Sequence, residues 1–138
     1  GLPQARAIQS AVKKHGLRKD VLLTGYAADE ELAYLYRNAE AFIFPSAYEG
    51  FGLPILEAFQ AGCPVVAYAN SSIPEVAGDA ALLVRDGDSL VPSIERLLSN
   101  EALRNDLITR GKKRAQLFTW ERTARETLQV LEEAAQKK

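Results

Sequence analysis

Glu49 and Glu57 stand with seven residues between them, and the stretch Glu49-Gly-Phe-Gly-Leu-Pro-Ile-Leu-Glu57 is where this sequence could do chemistry. The apolar run Ala41-Phe-Ile-Phe44 and Pro45-Ser46 precede it, which predicts a buried strand, a glycine-bearing loop and then a helix. Pro54 suits a first helical turn, because its missing N–H would have no intrahelical partner there. Gly52 and Leu53, just ahead of it, offer no side chain that could cap the helix. The first N–H groups are therefore expected to stay free, and such an end attracts anions. Gly50 and Gly52 let a bulky ligand approach the backbone. The flanking carboxylates repel phosphate but accept hydrogen bonds from hydroxyls. A ligand with phosphate in the middle and hydroxyl-rich groups at both ends fits this pattern, and a nucleotide-sugar has that form.

The elements that must position these residues follow from periodicity and punctuation. Helical spacing over Pro3 to His15 ends at Gly16. Val21-Leu-Leu-Thr-Gly25 has the make-up of a buried parallel strand. Asp29 is placed to cap a helix whose apolar face is Leu32, Leu35, Tyr36 and Ala39. Further strands are expected at 41–44, 64–68 and 81–84, with helices at 53–61, from Pro74, and at 89–99, 101–117 and 120–136. Thr119 is a cap for the last helix, whose apolar stripe is Trp120, Ala124, Leu128 and Leu131. Short strands alternating with helices imply an α/β fold: a doubly wound, Rossmann-like parallel sheet of about four strands with helices on both faces. Ligands of such sheets bind at the carboxyl ends of the strands, where the loops after Gly25, Ser46 and Tyr68 lie.

The 138 residues amount to a single domain, with 17 basic residues against 18 acidic ones and a net charge of −1. No overall field draws such a chain to nucleic acid. The cluster Arg110-Gly-Lys-Lys-Arg114 fits the solvated face of a helix, with an anionic membrane surface or an acidic partner as the alternative. One cysteine, Cys63, rules out an internal disulfide and gives no sign of an oxidising compartment. No apolar run approaches the ~20 residues that span a bilayer, and a cytoplasmic protein is expected.

Pro45-Ser46 through Glu57-Ala58-Phe59, then Gly62-Cys-Pro-Val-Val66 and Ser72-Ile-Pro-Glu-Val76, resemble the C-terminal domain of retaining GT-B glycosyltransferases. The likeness is to the large group 1 (family 4) class of mannosyl-, glucosyl- and sucrose-type transferases, over about Leu17 to Leu131. It implies transfer of a hexose from a nucleoside diphosphate sugar, with no metal or other cofactor. In that resemblance Glu49 is the catalytic position, set against the donor sugar. Gly50 lies in the same turn, and Phe51 and Gly52 offer N–H groups to the sugar. Leu53 and Pro54 lie beside the diphosphate, and Glu57 accepts from the ribose. Tyr26 and Ala27 hold the base through main-chain groups, and Glu75 is a structural glutamate behind the site.

The resemblance also implies what this chain lacks. Its relatives carry an N-terminal acceptor domain and, in the donor domain, two earlier strand–helix units bearing an Arg/Lys pair for the leaving diphosphate. Lys13, Lys14, Arg18 and Lys19 do not have that spacing. The expectation is a donor-domain fragment, 1–138, that binds donor weakly and does not turn over. Without the two units, the strand at 21–25 either closes onto the one at 41–44 or leaves an open edge prone to self-association.

Plainer readings stand beside these. Glu57, taken as a first-turn residue, would be stabilised by the helix dipole alone. Phe51 could be a hydrophobic plug, Tyr26 and Tyr48 rim residues, and Asn70-Ser-Ser72 turn formers. His15 and Cys63 fit structural roles. A non-catalytic nucleotide-sugar-binding or partner-assembly module is the alternative function. A receiver-type unit is disfavoured, since Thr24-Gly25 and Pro45-Ser46 stand where its acids belong.

Overall fold

The computed structural model describes residues 3–136. In chain order the elements are α1 (Pro3–Lys14), α2 (Asp29–Asn38), β1 (Phe42–Phe44), α3 (Leu53–Ala61), β2 (Val65–Tyr68), α4 (Ile73–Ala77), β3 (Ala81–Val84), α5 (Val91–Ser99), α6 (Glu101–Ala115) and α7 (Trp120–Gln136). The strands form a parallel sheet in the order β1-β2-β3. Phe42 is opposite Val65, and Val65 is opposite Ala81.

Alternation along the strands sorts the core into two layers. Phe42, Phe44, Val65, Ala67, Ala81 and Leu83 face the layer that holds Tyr36, Ile55, Phe59, Ile73 and Val76 from α2, α3 and α4. Ile43, Val66, Leu82 and Val84 face the other layer, with Leu97 of α5 and Leu107 of α6. Helices thus cover both faces, as an α/β fold requires. α6 passes from one layer to the other, Leu107 lying in the second and Ala115 in the first. Gly111 makes the passage possible: a Cβ there would stand 2.7 Å from the ring of the buried Phe59.

Three expectations need correction. Val21–Gly25 is not a strand, so the sheet has three strands among the described residues. The segment is unpaired and Leu22 is 84% exposed. No neighbouring strand pairs with it, Val21 and Leu23 only line an open cleft with α1, and among the described residues the outer edge of β1 stays unpaired as well. Asp29 does not cap α2 but is its first residue. The Ala28 N–H instead donates to the Glu31 carboxylate at 2.9 Å, one half of a capping box. Arg114, finally, is not a solvated residue of its cluster. Its guanidinium donates to the carbonyls of Glu75 and, at 3.0 Å, of Val76, and lies 5.1 Å from the Phe118 ring centre.

At the C-terminal end the expected details hold. Thr119 Oγ1 accepts the Arg122 N–H at 3.1 Å as an N-cap. α7 buries none of its residues, and its stripe is open, with Trp120 77% exposed. Among the described residues, no helix is long and apolar enough to cross a membrane.

Candidate functional site

The site is built on the junction between β1 and α3. Gly52 is the N-cap of α3, with φ 100° and no side-chain cap. Two independent facts require glycine there. The backbone is left-handed, and a Cβ would stand 2.9 Å from Ile73 Cδ1. Ile55 N–H donates back to the Gly52 carbonyl at 3.0 Å. Pro54 has no N–H. Among the described residues, the N–H groups of Gly50, Phe51, Gly52 and Leu53 donate to no protein acceptor. Four successive donors at a helix start make a region of positive potential. Leu53 is 48% exposed and Gly50 borders open space, so this end is accessible.

Glu49 is half-buried and held at both backbone and side chain. Ser46 Oγ donates to Glu49 Oε1 at 2.7 Å. Glu49 N–H donates to Ser71 Oγ at 3.0 Å, and Ser71 Oγ donates to the Glu49 carbonyl at 2.6 Å. Ser72 Oγ lies 2.8 Å from the Phe51 carbonyl and 3.2 Å from that of Glu49. Asn70 Nδ2 donates to the Ser46 carbonyl at 3.0 Å. The tripeptide 70–72 is therefore more than a turn, since it fastens the Glu49 loop. Sequence reasoning missed this, although one signal was present: the tripeptide follows β2, whose carboxyl end adjoins that of β1 in a parallel sheet.

Glu57 lies in the second turn of α3, not the first, and the first turn has no acidic residue. The dipole reading of this residue therefore loses its basis, because that effect fades within the first turn. Tyr36 Oη approaches Glu57 Oε2 at 3.5 Å. Burial, and then the charge of Glu57 and this contact, push the Tyr36 phenol up to about 12. The two line a cleft of about 380 Å³ with Asp29, Leu32, Arg37 and Gln60, and Glu49 is not part of its lining.

The expected base-binding loop is not assembled with the rest. Tyr26 is 93% exposed, and with Ala27 it lines a different cleft of about 540 Å³ beside Glu30 and Tyr34. Without a ladder at Val21–Gly25 nothing fixes this loop to the sheet edge. Phe51 meets Phe118 edge-on at 5.9 Å but keeps 44% of its surface exposed, and Tyr48 stands exposed at the rim. Glu75 lines a cleft of about 390 Å³ with Phe51, Arg114 and Phe118. Among the described residues no group of His, Cys, Asp and Glu could hold a metal ion.

Residues 1–114 match the family described as "Glycosyl transferases group 1". The chain belongs to this family. Among relatives of this group 1 chain, the O-antigen chain mannosyltransferase B of Escherichia coli is 44% identical over 106 residues, covering 75% of this chain and 28% of its own length. The MMP alpha-(1->4)-mannosyltransferase of Mycolicibacterium hassiacum is 36% identical over 132 residues, covering 91% of this chain and 32% of its own length. The chain therefore spans about a third of the length of these relatives. Sucrose-phosphate synthase from Thermosynechococcus elongatus superposes with a TM-score of 0.86 at 31% identity, over 98% of this chain and 35% of that one. The C-terminal domain of a glycosyl transferase group 1 family protein from Francisella tularensis gives 0.72 at 30% identity, over 84% of this chain and 62% of that one. The GT-B family and fold expected from the sequence motifs are thereby borne out.

Proposed function

We propose that this group 1 chain is the donor-binding part of a glycosyltransferase that moves a hexose from a nucleoside diphosphate sugar to an acceptor, with retention of configuration. The observation that carries the reading is the row of unpartnered N–H groups from Gly50 to Leu53 beside a fastened Glu49. The donor diphosphate lies against the start of α3 at the Leu53 N–H, with Pro54 packing beside it. Phe51 and Gly52 N–H bind sugar oxygens, and Glu49 faces the sugar as the catalytic carboxylate. Glu57 accepts from the ribose, with Tyr36 beside it, and Tyr26 and Ala27 take the base once their loop is docked. No metal or organic cofactor is called for, since backbone donors and the helix dipole supply the positive potential. Mannose is the first sugar to test, because two of the relatives are named mannosyltransferases. The acceptor is held by a separate N-terminal domain, so this chain alone binds donor without turnover. A cytoplasmic setting is part of this reading, and the free, buried Cys63 is compatible with it.

The test is saturation-transfer NMR and calorimetry with UDP-, GDP- and ADP-hexoses and the matching diphosphates. Glu49→Ala is expected to weaken the sugar nucleotide about tenfold and leave the diphosphate unchanged, the scale of one charge-assisted hydrogen bond. Glu57→Ala is expected to weaken both. A second reading, a partner-assembly module, is favoured by the unpaired edge of β1 and the bare stripe of α7. It expects self-association in light scattering and donor binding that survives Glu49→Ala.

A further inference from the structure

The peptide unit is planar and trans, so the C=O of one residue and the N–H of the next point in opposite directions. Fixing a carbonyl therefore aims the following N–H. Ser71 Oγ accepts from Glu49 N–H, and its single proton goes to the Glu49 carbonyl at 2.6 Å. That leaves the Ser72 proton for the Phe51 carbonyl at 2.8 Å. Each hydroxyl proton is then used once, and both carbonyls are drawn toward the loop that follows β2. The Gly50 N–H shares a peptide with the Glu49 carbonyl, and the Gly52 N–H shares one with that of Phe51. Both are turned to the opposite side of the Glu49 loop, where neither has an acceptor among the described residues. Ser71 adopts φ 43°, the only non-glycine among the described residues with positive φ. A residue held in that conformation needs surroundings that compensate for it.

We propose that Ser71 and Ser72 are positioning residues for donor binding: by tying down the Glu49 and Phe51 carbonyls they aim the Gly50 and Gly52 N–H groups at the oxygens of the donor's hexose. This rests on the donor reading above and adds to it which side chains set the geometry of the donors. The hydroxyls touch no ligand themselves. Their effect falls on the sugar and leaves the diphosphate and base untouched.

The experiment compares the native chain with Ser71→Ala, Ser71→Gly, Ser72→Ala and Ser72→Thr. Calorimetry with UDP-glucose, GDP-mannose and ADP-glucose is set against UDP, GDP and ADP, and amide hydrogen exchange is followed without ligand. Both alanine variants are expected to lose about tenfold in affinity for the sugar nucleotide and less than about twofold for the diphosphate, the scale of one or two lost hydrogen bonds. Ser72→Thr, which keeps its hydroxyl, retains native affinity. Ser71→Gly relaxes the left-handed backbone yet lacks the hydroxyl, and is expected to behave like Ser71→Ala. Glu49 amide protection falls in both Ser71 variants. Native affinity in Ser71→Gly would assign the effect to backbone conformation and overturn the proposal. Equal losses for sugar nucleotide and diphosphate would also overturn it. If the native chain binds no sugar nucleotide while Glu49 protection still depends on Ser71, the donor reading itself has failed, and this inference falls with it.

Discussion

Val65-Val-Ala-Tyr68 and Val21-Leu-Leu-Thr-Gly25 are apolar runs of similar make-up with opposite fates. The first is the central strand of the sheet, paired on both edges, with Val65, Val66 and Ala67 fully buried. The second forms no ladder, and Val21, Leu22 and Leu23 are all exposed. Strand propensity does not separate them. β2 has a ladder on each side and a helix layer on each face, whereas the other run has no ladder and meets α1 only across an open cleft. An apolar run states a demand for burial, and a strand forms only where partners meet that demand.

Substituting a charge into each run gives the largest contrast. Val66→Asp puts an unpaired carboxylate between Leu97 and Leu107 and is expected to cost more than about 3 kcal/mol in urea unfolding. Leu22→Asp is expected to stay within about 0.5 kcal/mol, as an exposed substitution should. A cost for Leu22→Asp approaching that of Val66→Asp would show the N-terminal run to be buried after all. Gly52→Ala is the next largest effect, at roughly 2 kcal/mol, from a left-handed backbone and a Cβ pressed on Ile73. Circular dichroism melts report this loss, and donor binding should fall with it.

A smaller effect comes from alkaline pH. Burial pushes the Cys63 thiol up to about 11 and, chiefly, the Tyr36 phenol up to about 12. The unfolded chain releases these protons first, so the stability they reflect is complete below about pH 9 and is lost as pH rises through the two raised values. Cys63→Ala should flatten the earlier part of that decline, measured as urea midpoint against pH. Stability that is flat from pH 9 to 12 would contradict the burial of both groups.

The sequence was most legible where punctuation is local. Pro54 and Gly62 bracket α3, and its expected span, 53–61, matches the observed one. Its open start was also legible, because the absence of a capping side chain is a local fact. What escaped depends on long-range placement. Ser71 and Ser72 act on residues more than twenty positions earlier, and nothing in the tripeptide names its partner. The cap of α2 fell one residue before Asp29 because Glu31 reaches back to Ala28. Arg114 looked solvated by its neighbours in sequence, yet the ends of α4 and the Phe118 ring surround it in space. The family motif was readable because it combines a strand, a glycine loop and a helix start in one continuous segment.

The central claim is that the start of α3 receives a diphosphate. Nitrogen-15 NMR titration of the whole chain with GDP-mannose, UDP-glucose and ADP-glucose tests it most directly. At least one of them is expected to shift the Gly50, Phe51, Gly52 and Leu53 amides most strongly, with Ala61 and Gly62 at the far end of the helix unmoved. Saturable binding that leaves those four amides in place, or no binding by any of the three, would contradict the account.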